Sequence, residues 1–162
     1  LNYDTVFELA LDQLNKPFVY CPNEPTNREI LVCKPHGSLN MVMNTESFCF
    51  GQSGWLGMPE PPEFRSYSGF LPPRLNKSYA QHPVSQKILA SAAGRRPSEV
   101  TMWGVGLTDS DDELLALYRE WAQRADRINI INPLGSVATK AAILLECEIR
   151  PFASVKEWID AA

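Results

Sequence analysis

From Pro83 to Phe152 the chain alternates apolar, strand-like runs with amphipathic stretches of helical length, and this alternation restricts the fold more than any other feature. Pro83 suits a first helical position, and Val84, Ile88 and Ala92 share a helical face before Gly94 ends the pattern. "EVTMWGVGL" then reads as a strand, "SDDELLALYREWAQRA" as a helix, "RINIINPLG" as a strand, "SVATKAAILLE" as a helix and "CEIRPF" as a closing strand. The helix from Asp111 to Ala125 turns Leu114, Tyr118, Trp121, Ala122 and Ala125 to one side, and Ser110 with Glu113 has capping-box spacing. Apolar strands joined through helices of this length form βαβ units, because parallel strands need a crossover. The expectation is an α/β, Rossmann-like parallel sheet of about three to four strands with helices on both faces, starting near Thr5, Pro83, Asp111 and Ser136.

The first half is less regular. Thr5 stands three residues before Glu8, as a capping box requires, and Phe7, Leu11 and Leu14 fall on one face of the helix that follows. A short extended piece is expected at Phe18-Val19-Tyr20. In "EILVCKPHGSLNMVM" the apolar run stops at Pro35, which predicts a buried strand over 29–34 with His36-Gly37 at its exit. "SFCFG" is a second short strand candidate. Residues 52–82 carry five prolines and little periodicity, and are expected to be a long loop or insertion within one domain spanning 1–162.

Charge and composition exclude several classes. With 15 basic against 19 acidic side chains and no basic cluster beyond Arg95-Arg96, the chain lacks the electrostatic footprint of a nucleic-acid binder. No apolar run reaches the roughly 18 residues that span a bilayer, so no membrane partner is expected. Cys21, Cys33, Cys49 and Cys147 form no C-x-x-C pair. That scatter argues against structural zinc and fits free thiols in a reducing, cytoplasmic compartment. His82 and the cysteines have no metal-ligand spacing, and no metal site is expected.

A dinucleotide fold normally carries a glycine fingerprint after its first strand, and none occurs in these residues. The opening "LNYD", then "KPHGSLN", "LPPRLNKSY", "WGVGLTDSD" and "IINP" nevertheless stand in the order of the blocks of the sirtuin-like family. The resemblance covers residues 1–133 and is closest to the family's zinc-free bacterial branch, associated with NAD hydrolysis and phage defence. It implies the C-terminal part of a sirtuin-like domain whose first βαβ unit, with the glycine loop that cradles the pyrophosphate, lies upstream of Leu1. That segment would be a partner within the same polypeptide, and the piece alone would be inactive. Assembly with identical copies is left open.

By the same resemblance Asn2 positions a water or the nicotinamide ribose, Asp4 supports the nicotinamide end, and His36 acts on the ribose hydroxyls. Gly104, Gly106 and Leu107 are implied at the cofactor, and Asn132 at the adenosine ribose, with NAD as the substrate and no zinc. The residue types suit the chemistry. Cleavage of the nicotinamide–ribose bond develops oxocarbenium character, an amide can orient water, and an imidazole exchanges protons near neutral pH. Glycines after a strand and before a helix let backbone approach phosphate or ribose.

Two departures stand out. The family has serine or threonine where Gly106 stands, and an aromatic residue often follows the "GSLN" block where this chain has Met41.

Read without the family, Asp4 with Thr5 is also an ordinary N-cap, His36 an ordinary turn histidine, and Gly104-x-Gly106 an ordinary tight turn. Asp109, Asp111 and Asp112 read as cap and dipole partners, and Lys77 has no role that its position explains. Three functions follow: an NAD glycohydrolase, an NAD-dependent protein deacylase, or a non-catalytic nucleotide-binding module. The zinc-bearing deacylases of the family carry paired C-x-x-C motifs, so their absence favours the hydrolase.

Overall fold

The computed structural model describes residues 5–43, 48–50, 68–70, 83–105, 107 and 112–161, and the chain divides into two compact units. The first holds helix α1 (Val6–Gln13), strands β1 (Phe18–Tyr20), β2 (Ile30–Val32), β3 (Gly37–Met43), β4 (Phe48–Phe50) and β5 (Ser68–Phe70), and all but the last residue of helix α2 (Pro83–Ala93). The second holds β6 (Glu99–Trp103), α3 (Asp112–Ala122), β7 (Arg127–Ile131), α4 (Gly135–Leu145), β8 (Arg150–Phe152) and α5 (Val155–Asp160).

The second unit follows from its hydrophobic pattern and has the expected α/β, Rossmann-like form. Strands β6, β7 and β8 lie side by side in that order, all parallel, with α3 and α4 as the crossovers. Val100 pairs with Ile128 and Met102 with Ile130, so these four side chains share one face. They form a core with Leu115 and Ala122 of α3 and Ala141 and Leu145 of α4. The side of α3 read from the sequence is the inner one: Leu114 and Ala122 are buried, and Tyr118, Trp121 and Ala125 half-buried. The Ser110 half of the expected capping box lies outside the described residues.

Ends are set by local backbone. Strand β6 stops at Trp103 because Gly104 takes φ +66°, and Leu107 takes φ +46°. Helix α4 ends where Glu146 turns to φ +54°, and the guanidinium of Arg119 donates to the carbonyl of Leu144 at 2.6 Å. A cation there meets both an orphan carbonyl and the negative end of the helix. Helix α5 extends the architecture past the strand expected to close it. Its start is encoded in "SVKE": the Ser154 hydroxyl accepts from the Glu157 N–H at 3.2 Å, and the Glu157 carboxylate accepts from the Ala153 N–H at 2.7 Å.

The first unit departs from its pattern. Helix α1 begins after Thr5 as expected, but Thr5 makes no side-chain capping bond and Glu8 is fully buried, so the predicted capping box does not form. Of the three apolar residues assigned to one inner face only Leu11 is buried, whereas Phe7 is 52% and Leu14 67% exposed. Strands β1 and β2 pair in parallel, Phe18 to Ile30 and Tyr20 to Val32. The strand expected over 29–34 is shorter, and Val32 is its one buried residue.

Strand β3 was not expected at all, nor the antiparallel order β4-β3-β5 that it centres. The reason lies in its pattern: Ser38 and Asn40 face inward, each 1% exposed, while Leu39 points out. Polar residues on the buried face make a strand read as a loop. The "SFCFG" candidate is β4, paired with β3. Of the stretch 52–82 only Ser68–Phe70 is described, as β5 against β3; the rest lies outside the described residues. Among the described residues Cys21, Met41 and Ile88 form an apolar core cluster, with the Cys21 thiol donating to the Ile88 carbonyl. No helix among the described residues is long and apolar enough to cross a membrane.

Leu145 is fully buried in the second unit, while Ile143 on the same helix is 71% exposed. Leu145→Ala should therefore cost about 2–5 kcal/mol in urea unfolding, and Ile143→Ala should stay within about 0.5 kcal/mol. Equal losses for the two would refute this assignment of the inner face of α4.

Candidate functional site

A carboxylate with no exposed surface needs a compensating charge and hydrogen bonds, or its burial is prohibitive. Glu8 finds both. One carboxylate oxygen, Oε1, receives the Lys34 ammonium at 2.5 Å and the Tyr20 hydroxyl at 3.1 Å. The other, Oε2, is buried with no hydrogen-bond partner among the described residues. Lys34, itself 8% exposed, also donates to the Ser38 hydroxyl at 3.1 Å. The Asn40 amide donates to the Tyr20 oxygen at 2.9 Å. One buried network thus joins α1, β1, the segment between β2 and β3, and β3 itself.

His36 lies between two members of this network in the chain, Lys34 and Ser38. The Gly37 N–H donates to the Lys34 carbonyl at 2.9 Å, closing a turn over Lys34-Pro35-His36-Gly37. Proline at the second turn position has its φ already set, and Gly37 takes φ +82°, which glycine adopts at no steric cost. The turn is bracketed by Lys34 and Ser38, the two residues joined by the hydrogen bond across it, and the imidazole is 3% exposed. Neighbouring Tyr20 is perturbed: burial pushes its phenol far above the ordinary tyrosine range, the Asn40 amide pulls it down, and the Glu8 carboxylate raises it further.

In the second unit the relevant residues follow the carboxyl ends of β6 and β7, where open parallel sheets bind ligands. Gly104 is exposed, and a Cβ built there would meet nothing within 4 Å among the described residues. Leu107 is 6% exposed and packs into the core, so only its backbone can face a ligand. The Asn132 side-chain oxygen accepts from the Leu134 N–H at 2.9 Å, leaving the amide NH₂ as the end that can donate to a sugar hydroxyl. Helix α3 begins with Asp112 and Glu113, whose carboxylates already meet its positive end, while α4 has no acidic residue in its first turn. Asn2, Asp4 and Gly106 lie outside the described residues.

Sequence reading missed Glu8, Tyr20, Lys34, Ser38 and Asn40 as a group. The available signals were a lysine closing an apolar strand and a serine and an asparagine two apart, the period of one strand face. Asn129 was missed as well. It is fully buried within the apolar run of β7 and donates to Glu99 at 2.6 Å and Thr101 at 3.0 Å, while Arg127 pairs with the other oxygen of Glu99 at 2.9 Å. No group of three or more His, Cys, Asp or Glu side chains that could hold a metal occurs among the described residues.

The raised phenol gives a pH prediction. The folded state holds the Tyr20 proton more tightly than the unfolded chain does. This contribution is therefore complete below the unfolded value of about 10 and is lost as pH rises above it. Between about pH 9 and 11 the melting temperature should fall more steeply in the wild type than in Tyr20→Phe; parallel curves would remove Tyr20 from the alkaline response.

Scans against protein-family models, curated proteins and solved structures find no match for this chain.

Proposed function

We propose that this chain is part of an NAD-consuming enzyme, an NAD glycohydrolase that cleaves the nicotinamide–ribose bond. The observation that carries the reading is the "KPHGSLN" block, which forms a hydrogen-bonded turn with a nearly buried histidine between Lys34 and Ser38, two members of a buried polar network. An ordinary turn histidine would be solvated, and burying an imidazole costs stability that packing alone does not require. The ordered sirtuin-like blocks in the sequence supply the substrate class, together with a cytoplasmic setting and a role in phage defence.

In this reading His36 accepts a proton from a ribose hydroxyl or from water, and Asn2 orients the water. The bond between the anomeric carbon and the pyridinium nitrogen breaks, its electron pair leaving with nicotinamide. Water oxygen adds to the anomeric carbon and gives up its proton to the base, so the products are nicotinamide, ADP-ribose and a proton. Within the second unit, the resemblance assigns Gly104 backbone and the Asn132 NH₂ to cofactor contacts, and the Asn132 amide, its oxygen bonded to the Leu134 N–H, keeps its NH₂ as the donating end.

The test is nicotinamide release from NAD by the full-length natural chain. His36→Ala and Asn2→Ala should each lower it by about 10²–10⁴ while circular dichroism stays that of the folded protein. Undiminished release from well-folded His36→Ala would remove the histidine from the chemistry.

A further inference from the structure

We infer that Glu8 and Lys34 are positioning residues whose buried pair sets the placement of the His36 turn relative to the head of α1; this rests on the reading of His36 as the acting group. Lys34 is the first residue of the turn, and its ammonium bridges the Glu8 carboxylate of α1 and the hydroxyl of Ser38, one residue past the turn. A single point charge therefore holds both sides of the loop that presents the imidazole. Glu8 in turn ties that loop to the helix that Asn2 and Asp4 directly precede in the sequence. The side chains assigned to the chemistry thus belong to two segments that are remote in the chain, and the pair is a charged link between the His36 turn and α1.

Stability does not account for such a pair. Buried ion pairs rarely outperform an apolar pair of similar volume, because desolvation offsets most of the attraction. The short directional contacts at 2.5 and 3.1 Å do what apolar packing does not, which is to specify one orientation. The Tyr20 hydroxyl of β1 donates to the same carboxylate oxygen, and the Asn40 amide of β3 donates to the Tyr20 oxygen in turn, which limits rotation of the carboxylate. Catalysis is sensitive to misplacement on this scale, with an ångström commonly worth about a hundredfold in rate.

The experiment compares wild type, Glu8→Gln, Lys34→Met and the double variant Glu8→Met/Lys34→Met in the full-length natural chain. It reads melting temperature, kcat and KM for nicotinamide release, and hydrogen exchange at the Gly37 amide. The single variants should melt lower, and the apolar double variant should regain most of the lost melting temperature. Its kcat should stay about tenfold or more below wild type with KM within about threefold, and Gly37 should exchange about tenfold faster while the Ile130 amide is unchanged. A double variant that regains wild-type kcat and Gly37 protection along with its melting temperature would overturn the inference. His36→Ala run in parallel separates the two readings. If it leaves nicotinamide release intact, the catalytic reading fails, and Gly37 exchange alone then decides whether the pair holds the turn.

Discussion

The buried contact between Glu8 and Lys34 is the constraint on which the first unit turns. A carboxylate with no exposed surface and an ammonium with almost none are tolerable only together, so the segments carrying them must meet. Once they do, Tyr20, Ser38 and Asn40 are drawn in as the remaining hydrogen-bonding partners, and their strands with them. Among the described residues the apolar core of this unit comprises Cys21, Met41 and Ile88 with two half-buried neighbours, and the polar contacts add directionality to it. The same demand explains why α1 shows Phe7 and Leu14 to the outside. The inner side of the helix is occupied by a charge.

The second unit rests on a different principle. Its parallel strands are paired in register over Glu99–Trp103 and Arg127–Ile131, and its helices close over an apolar face with little polar content. The other face of the same strands carries the Glu99–Asn129–Thr101 hydrogen bonds, with Arg127 on the outer oxygen of Glu99. On that second face Asn129, Ile131 and Phe152 are buried, whereas Thr101 and Trp103 of β6 are exposed. What distinguishes the carboxyl ends of the strands is backbone: a left-handed glycine after β6, an asparagine after β7 folded back on its own turn. These are the features that an extended ligand with a sugar and phosphates can use, and they belong to the main chain more than to any side chain.

The two units thus show two styles of construction. A polar, tightly bonded frame suits a group that must hold a proton at a defined place, because orientation there matters more than area. Open backbone at strand ends suits binding of a large substrate, where close approach matters more than charge.

The sequence by itself determined the second unit, because hydrophobic periodicity is a local property and local periodicity sets which face of a strand or helix leaves water. Val100, Met102, Ile128 and Ile130 announce their sheet, and Leu114 and Ala122 their helix, without reference to anything distant. The histidine–glycine turn was legible for a similar reason, since Pro35 and Gly37 are turn chemistry within four residues. The frame around it was not. Glu8 has capping-box spacing from Thr5, and that local reading loses to the ammonium of Lys34, 26 residues away; Ser38-Leu39-Asn40 has a loop's composition, and it becomes a strand with its polar side inward because Lys34 meets Ser38 and Tyr20 meets Asn40. Only the tertiary structure could decide that, because the free energy of burying a charge depends on what else arrives at the same place, and no window of sequence contains both partners.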